Sequence, residues 1–83
     1  MVGGGAAGCE AARVAARRGH EVILLEAAAE VGGLASSILV DGTPIERFYH
    51  FICRSDVDLI DLATELEIDD QLFWRQGRTA FLY

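Results

Sequence analysis

Apolar positions along the chain change their period several times. Ala7, Ala11, Val14 and Ala15 recur at helical spacing, with Glu10, Arg13, Arg17 and Arg18 on the complementary face, and predict an amphipathic helix from Ala6 to about Arg18. Arg17 and Arg18 suit the negative end of its dipole, and Gly19 supplies a left-handed residue to end it. Val22-Ile23-Leu24-Leu25 is then an unbroken apolar run, the pattern of a parallel strand covered on both faces. Asp41-Gly42, flanked by 37–40 and 43–48, predicts a β-hairpin, with Pro44 keeping one strand at an edge. Helical spacing returns at Leu59, Leu62, Ala63 and Leu66, with Asp61, Glu65 and Glu67 opposite and Ser55 as the expected cap. Residues 72–74 and 79–83 read as two short strands around a turn at Gly77-Arg78.

The junction before the first helix carries the chemistry. Gly3, Gly5 and Gly8 fit G-x-G-x-x-G, a spacing that lets a strand turn sharply into a helix whose free N–H groups, at Ala6, Ala7 and Gly8, face a pyrophosphate. Gly8 and Ala12, one turn apart, let that helix lie close to the sheet. Glu26 ends the second apolar run, about twenty residues after the glycines, where a carboxylate accepts the hydroxyls of an adenosine ribose and disfavours a 2′-phosphate. Gly32-Gly33 adds a second place where backbone N–H groups are bare and a phosphate can approach closely. These residues together point to a dinucleotide.

Size limits the rest. A chain of 83 residues holds about one and a half βαβ repeats, and only Met1-Val2 precedes the glycines where a first strand usually contributes five or six residues. The expectation is a fragment, shortened in its first strand and stopping inside its last, with 1–36 forming the nucleotide-binding βαβ core and 37–83 a hairpin, a helix and the start of a further region. The net charge is −6 and all seven basic residues are Arg, which gives no basic stripe for nucleic acid. No stretch has the roughly 18 apolar residues of a membrane span, and no signal sequence opens the chain. Cys9 and Cys53 form no C-x-x-C, which fits reduced thiols and a cytoplasmic location. Asp56, Asp58 and Asp61 lack the central Gly and terminal Glu of a calcium loop, so no metal site is expected.

The run from Val2 to Gly8, then Gly19-His20-Glu21-Val22, then Glu26 followed by Gly32-Gly33-Leu34-Ala35-Ser36, resembles the N-terminal FAD-binding segment of flavin amine oxidases, most closely the protoporphyrinogen oxidase and phytoene desaturase branch. The resemblance implies an α/β, partial Rossmann-like unit followed by a hairpin, a helix and short strands. It implies FAD, with pyrophosphate on Gly3, Gly5, Ala6, Ala7 and Gly8, ribose on Glu26 beside Ala27, and further contacts at Gly32, Gly33 and Leu34. Leu34 stands where that family often has Arg. The implied parent is an FAD-dependent oxidoreductase acting on a small-molecule substrate that the residues do not identify, the short chain alone being inactive. The alternatives are an NAD(P)-binding dehydrogenase fragment, which the glycine pair argues against, and a non-catalytic remnant that self-associates through incomplete sheet edges. The resemblance places 45–52 near the flavin ring. There His50, Tyr49 and Phe51 are read as packing residues and Glu46-Arg47 as an edge pair. No residue is assigned as catalytic.

Overall fold

The computed structural model of the chain describes residues 1–78 and 80–82. They form two compact units, Met1–His50 and Phe51–Tyr83.

In the first unit, helix α1 spans Ala6–Arg17. Glu10 and Arg13 pair across one turn of it through two hydrogen bonds of 2.7 and 2.8 Å. It ends as the sequence predicts, Gly19 taking a φ of +85° while its N–H bonds the Ala16 carbonyl and the His20 N–H reaches back to Ala15. Those two bonds satisfy carbonyls that the last turn would otherwise leave open.

The run 22–25 lies parallel to residues 1–3. The Met1 amino group donates to the Ile23 carbonyl, the Leu25 N–H to Met1 and the Gly3 N–H to Leu25, all within 2.8 to 2.9 Å. This is the two-stranded start of a βαβ unit, reduced to the single residue bridge Val2–Leu25. Burial on both faces does not follow: Ile23 and Leu25 are 67% and 59% exposed. Pairing satisfies one edge of the run, but covering its faces takes further packed layers.

Strands β1 (Ser37–Val40) and β2 (Thr43–Glu46) form the antiparallel hairpin, in a register that sets Leu39 opposite Pro44 and Val40 opposite Thr43. Asp41 and Gly42 have φ of +49° and +78°. A two-residue turn with both φ positive matches the twist of the flanking strands, and Asp-Gly is among the pairs that tolerate it. Phe48 stacks on Tyr49 at 5.1 Å between ring centroids, just beyond the hairpin.

In the second unit, helix α2 spans Val57–Glu65. Ser55 does not cap it. Asp56 holds the cap position and turns its carboxylate back to the Cys53 N–H at 2.7 Å, a local turn that outcompetes capping. The helix closes like α1, with the Ile68 N–H on Ala63 and the Glu67 N–H on Thr64, but here the left-handed residue is Glu67 at φ +58°. One 3-10 turn follows at Asp69–Gln71. The Arg54 guanidinium lies 4.8 Å from the Trp74 ring centre. Residues 72–74 and 80–82 are not strands, because no segment among the described residues offers them a ladder partner; Thr79 and Tyr83 of the expected second strand lie outside the described residues.

Ala63 is the one buried apolar side chain among the described residues. The accessible surface is 7657 Å², whereas a compact monomer of this mass exposes roughly 4,900 Å². Most of the apolar surface that the sequence pattern provides is therefore left facing outwards, including Phe51, Phe73 and Phe81.

Candidate functional site

The glycine turn is held from three directions. Gly3, at φ +98°, donates to Leu25 and thereby fixes the turn to the end of the second apolar run. Gly4 is buried. Its N–H donates to Glu26 Oε2 at 2.6 Å, and its carbonyl accepts from the Gly32 N–H at 2.7 Å and the Cys9 thiol at 3.3 Å. A Cβ there would lie 2.9 Å from Val31 Cγ1 and 3.1 Å from Glu26 Oε2. Only hydrogen fits.

Gly5 caps α1 with extended backbone, and the first helical bond runs from the Cys9 N–H to its carbonyl. The N–H groups of Ala6, Ala7 and Gly8 thus have no acceptor within the helix, and they carry its positive end. A Cβ on Gly5 would meet nothing within 4 Å, so the approach to these N–H groups is open. Gly8 is the opposite case, because a Cβ there would fall 1.9 Å from the Gly3 carbonyl oxygen. The close packing of helix on turn expected from the motif spacing is thus realised at Gly8.

The glycine pair packs against this turn. Gly32 pairs in parallel with Gly5, and a Cβ on Gly33 would come within 3.2 Å of the Gly5 Cα. A 3-10 turn at Gly33–Ala35 follows, closed by the Ser36 hydroxyl donating to the Gly33 carbonyl at 2.7 Å.

Glu26 links the two glycine segments. Its Oε1 accepts from the Ala28 N–H at 2.8 Å while Oε2 holds Gly4. Donation from the Ala28, Gly4 and Ala27 N–H groups keeps this carboxyl below the ordinary 4.5, against a smaller opposing effect of burial. Each carboxylate oxygen keeps acceptor capacity beyond these bonds.

Gly3, Gly5, Ala6, Ala7, Gly8, Glu26, Gly32 and Gly33 therefore converge in one place. Ala27 is exposed beside Glu26, and Leu34 is exposed on the wall of a cavity of about 400 Å³ that also borders Gly33. Sequence reasoning missed Gly4, which it treated as the variable residue of the motif although an unbroken Gly3-Gly4-Gly5 triplet marks it. It also missed the thiol and hydroxyl contacts of Cys9 and Ser36, for which no local signal exists. His50, Tyr49 and Phe51 are exposed, and Tyr49 packs by ring stacking on Phe48. Glu46 and Arg47 form no ion pair with each other among the described residues. Among the described residues no three His, Cys, Asp or Glu side chains converge as for a metal ion, and no helix is long and apolar enough to cross a membrane.

Residues 1–66 match the NAD(P)-binding Rossmann-like domain family. Over 78 residues the chain is 40% identical to a Mycobacterium tuberculosis protein named a flavin-containing monoamine oxidase, covering 94% of this chain and 17% of that protein. It is 35% identical over 82 residues to putrescine oxidase of Kocuria rosea, covering 99% of this chain and again 17% of the relative. A shorter stretch of 33 residues, 40% of this chain and 5% of the relative, is 70% identical to N,N-dimethylglycine/sarcosine dehydrogenase of Chromohalobacter salexigens. No solved structure matches the chain significantly.

Proposed function

The chain belongs to the NAD(P)-binding Rossmann-like domain family, and from that premise we propose that it is the FAD-binding segment of an amine-oxidase-like or desaturase-like oxidoreductase. The observation that carries this reading is the packing of Gly32-Gly33 on the glycine turn, with Gly32 N–H to Gly4 carbonyl at 2.7 Å. That contact uses the Gly32 N–H itself and sets the side-chain-free backbone of Gly33 beside the helix start, where a cofactor longer than a mononucleotide can approach closely. The names of the two relatives that cover nearly the whole chain, a flavin-containing monoamine oxidase and an amine oxidase acting on putrescine, agree with it.

The residues present fit such a group. The open face at Gly5 and the N–H groups of Ala6, Ala7 and Gly8 would take the pyrophosphate, Gly3 and Gly8 letting the backbone come close. Glu26, already anionic and oriented by Gly4 and Ala28, would take the ribose hydroxyls with Ala27 beside it. Gly32, Gly33 and Leu34 would border the next part of the cofactor. Bound FAD supplies acceptance of a hydride equivalent from a C–N or C–C bond; this chain binds and orients it.

The absorbance of the purified full-length protein tests the reading. Flavin bands released as FAD on denaturation support it. A colourless protein that binds NADH instead sinks it in favour of a nicotinamide-dependent enzyme.

A further inference from the structure

We infer that the second unit carries a binding site for a small organic oxyanion, an apolar body bearing a carboxylate or a phosphate, built from none of the residues of the glycine turn. A cavity of about 380 Å³ is walled by Ile52, Cys53, Arg54, Trp74, Arg75 and Gln76, within the roughly 300–1,000 Å³ of small-molecule sites. All six residues belong to that one compact unit.

Local structure sets the position of Arg54. Asp56 closes the loop at 53–56 twice, its carboxylate accepting from the Cys53 N–H at 2.7 Å and its own N–H donating to the Cys53 carbonyl at 3.0 Å. Those bonds fix the backbone on either side of Arg54 and engage the acidic side chain closest to it in sequence. The Arg54 guanidinium then lies 4.8 Å from the centre of the Trp74 ring, a cation–π contact that holds it on the wall Arg75 shares.

Acidic residues outnumber basic ones by thirteen to seven in this chain, yet two of the seven arginines line this one space and no Asp or Glu does. Among the described residues neither Arg54 nor Arg75 has a carboxylate within ion-pair distance. Two guanidiniums on one wall repel each other, and an oxyanion between them offsets that repulsion and accepts from both planar forks. The Gln76 amide adds a neutral donor. Ile52 and Trp74 give the same space an apolar side, which a bare inorganic anion leaves wet and an organic body covers.

The test is fluorine NMR of the full-length protein labelled with fluorotryptophan, the Trp74 resonance being identified by its loss in W74F. The probes are benzoate, phenyl phosphate, inorganic phosphate and benzyl alcohol. A saturable shift of the Trp74 resonance with benzoate or phenyl phosphate, and none with benzyl alcohol, is the expected result; which of the two acts names the head group. R54Q and R75Q should each weaken that binding about fivefold or more, while R78Q, the same loss of charge off the cavity wall, leaves it unchanged. No shift with either organic anion, or equal affinity in R75Q and wild type, overturns the inference. Equal losses in R75Q and R78Q overturn it in favour of net charge alone, and inorganic phosphate binding as tightly as phenyl phosphate overturns its apolar half. Far-UV circular dichroism establishes folding. Should R54Q, which loses the Trp74 contact, not fold, R75Q carries the test, because that side chain forms no hydrogen bond or ion pair among the described residues. Failure of these outcomes leaves the FAD reading standing, since no residue is shared between the two.

Discussion

Gly8→Ala separates steric closure of the turn from helix propensity, because the two act in opposite directions. In an exposed helix the change gains about 1 kcal/mol. Here the new Cβ would lie 1.9 Å from the Gly3 carbonyl oxygen, and both atoms belong to stiff parts of the chain, so backbone must move. Overpacking of this kind costs about 1–3 kcal/mol. The displaced segment includes Gly3, whose 2.8 Å bond to Leu25 is the link between turn and second run, and lengthening that bond adds to the loss. The net expectation is destabilisation by about 1–2 kcal/mol, close to a tenfold loss of closed turn. The assay compares the thermal melting of full-length apoprotein and the FAD retained through purification, with Gly5→Ala as the contrast. A Cβ at Gly5 meets nothing within 4 Å but stands where the cofactor approaches, so that variant should keep most of its apoprotein stability and lose FAD. A Gly8→Ala protein that melts at or above wild type with full FAD content would refute the steric reasoning.

Other consequences can be measured directly. Glu26 has a folded-state pKa held below 4.5, so its stabilisation of the turn is complete above the unfolded value and is lost as pH falls through the folded one. The Gly4 amide resonance should therefore shift below about pH 4.5 in wild type and not in E26Q; the same acid transition in both proteins would rule Glu26 out as its source. Glu67→Gly should stabilise the end of α2 by about 0.5–1 kcal/mol, since the left-handed strain exceeds the entropic cost of glycine. Slower hydrogen exchange at Ile68 checks this, and faster exchange contradicts it. The isolated 83-residue chain, with its large excess of exposed apolar surface, should bind a hydrophobic dye, self-associate in gel filtration and hold FAD weakly. Stoichiometric tight FAD binding in calorimetry would show that the glycine segments need no further support.

Sequence reasoning recovered what local physics controls. Helix α1 and its end at Gly19, the Asp41-Gly42 hairpin and the span of α2 each depend on propensities or turn conformations written within a few residues. Ser55 failed as a cap because Asp56, its neighbour, had a competing local bond available to Cys53. Covering of Ile23 and Leu25, and strand formation at 72–74, failed for a different reason: both depend on surfaces that no local pattern contains. At the site, glycine spacing revealed where the backbone must come close. It did not reveal that Gly4, through Glu26 and Gly32, ties the two glycine segments into one piece, because that depends on contacts between residues 22 to 28 apart in the chain. Arg54 and Arg75 were visible as charges but not as neighbours on one cavity wall, since their meeting follows from the return of the chain after α2.

The two parallel bridges, Val2–Leu25 and Gly5–Gly32, also impose an order in time. Helix α1 closes by neighbouring contacts and forms within about a microsecond. The turn before it gains its full set of bonds only after Gly32 has joined the chain, which at ribosomal speeds takes a few seconds longer. During synthesis the helix therefore waits with its positive end unconfined, and arrival of the glycine pair is the event that clamps it. A nascent chain arrested with Gly32 still inside the exit tunnel should leave the Gly4 segment open to protease, and a chain arrested well past that point should protect it.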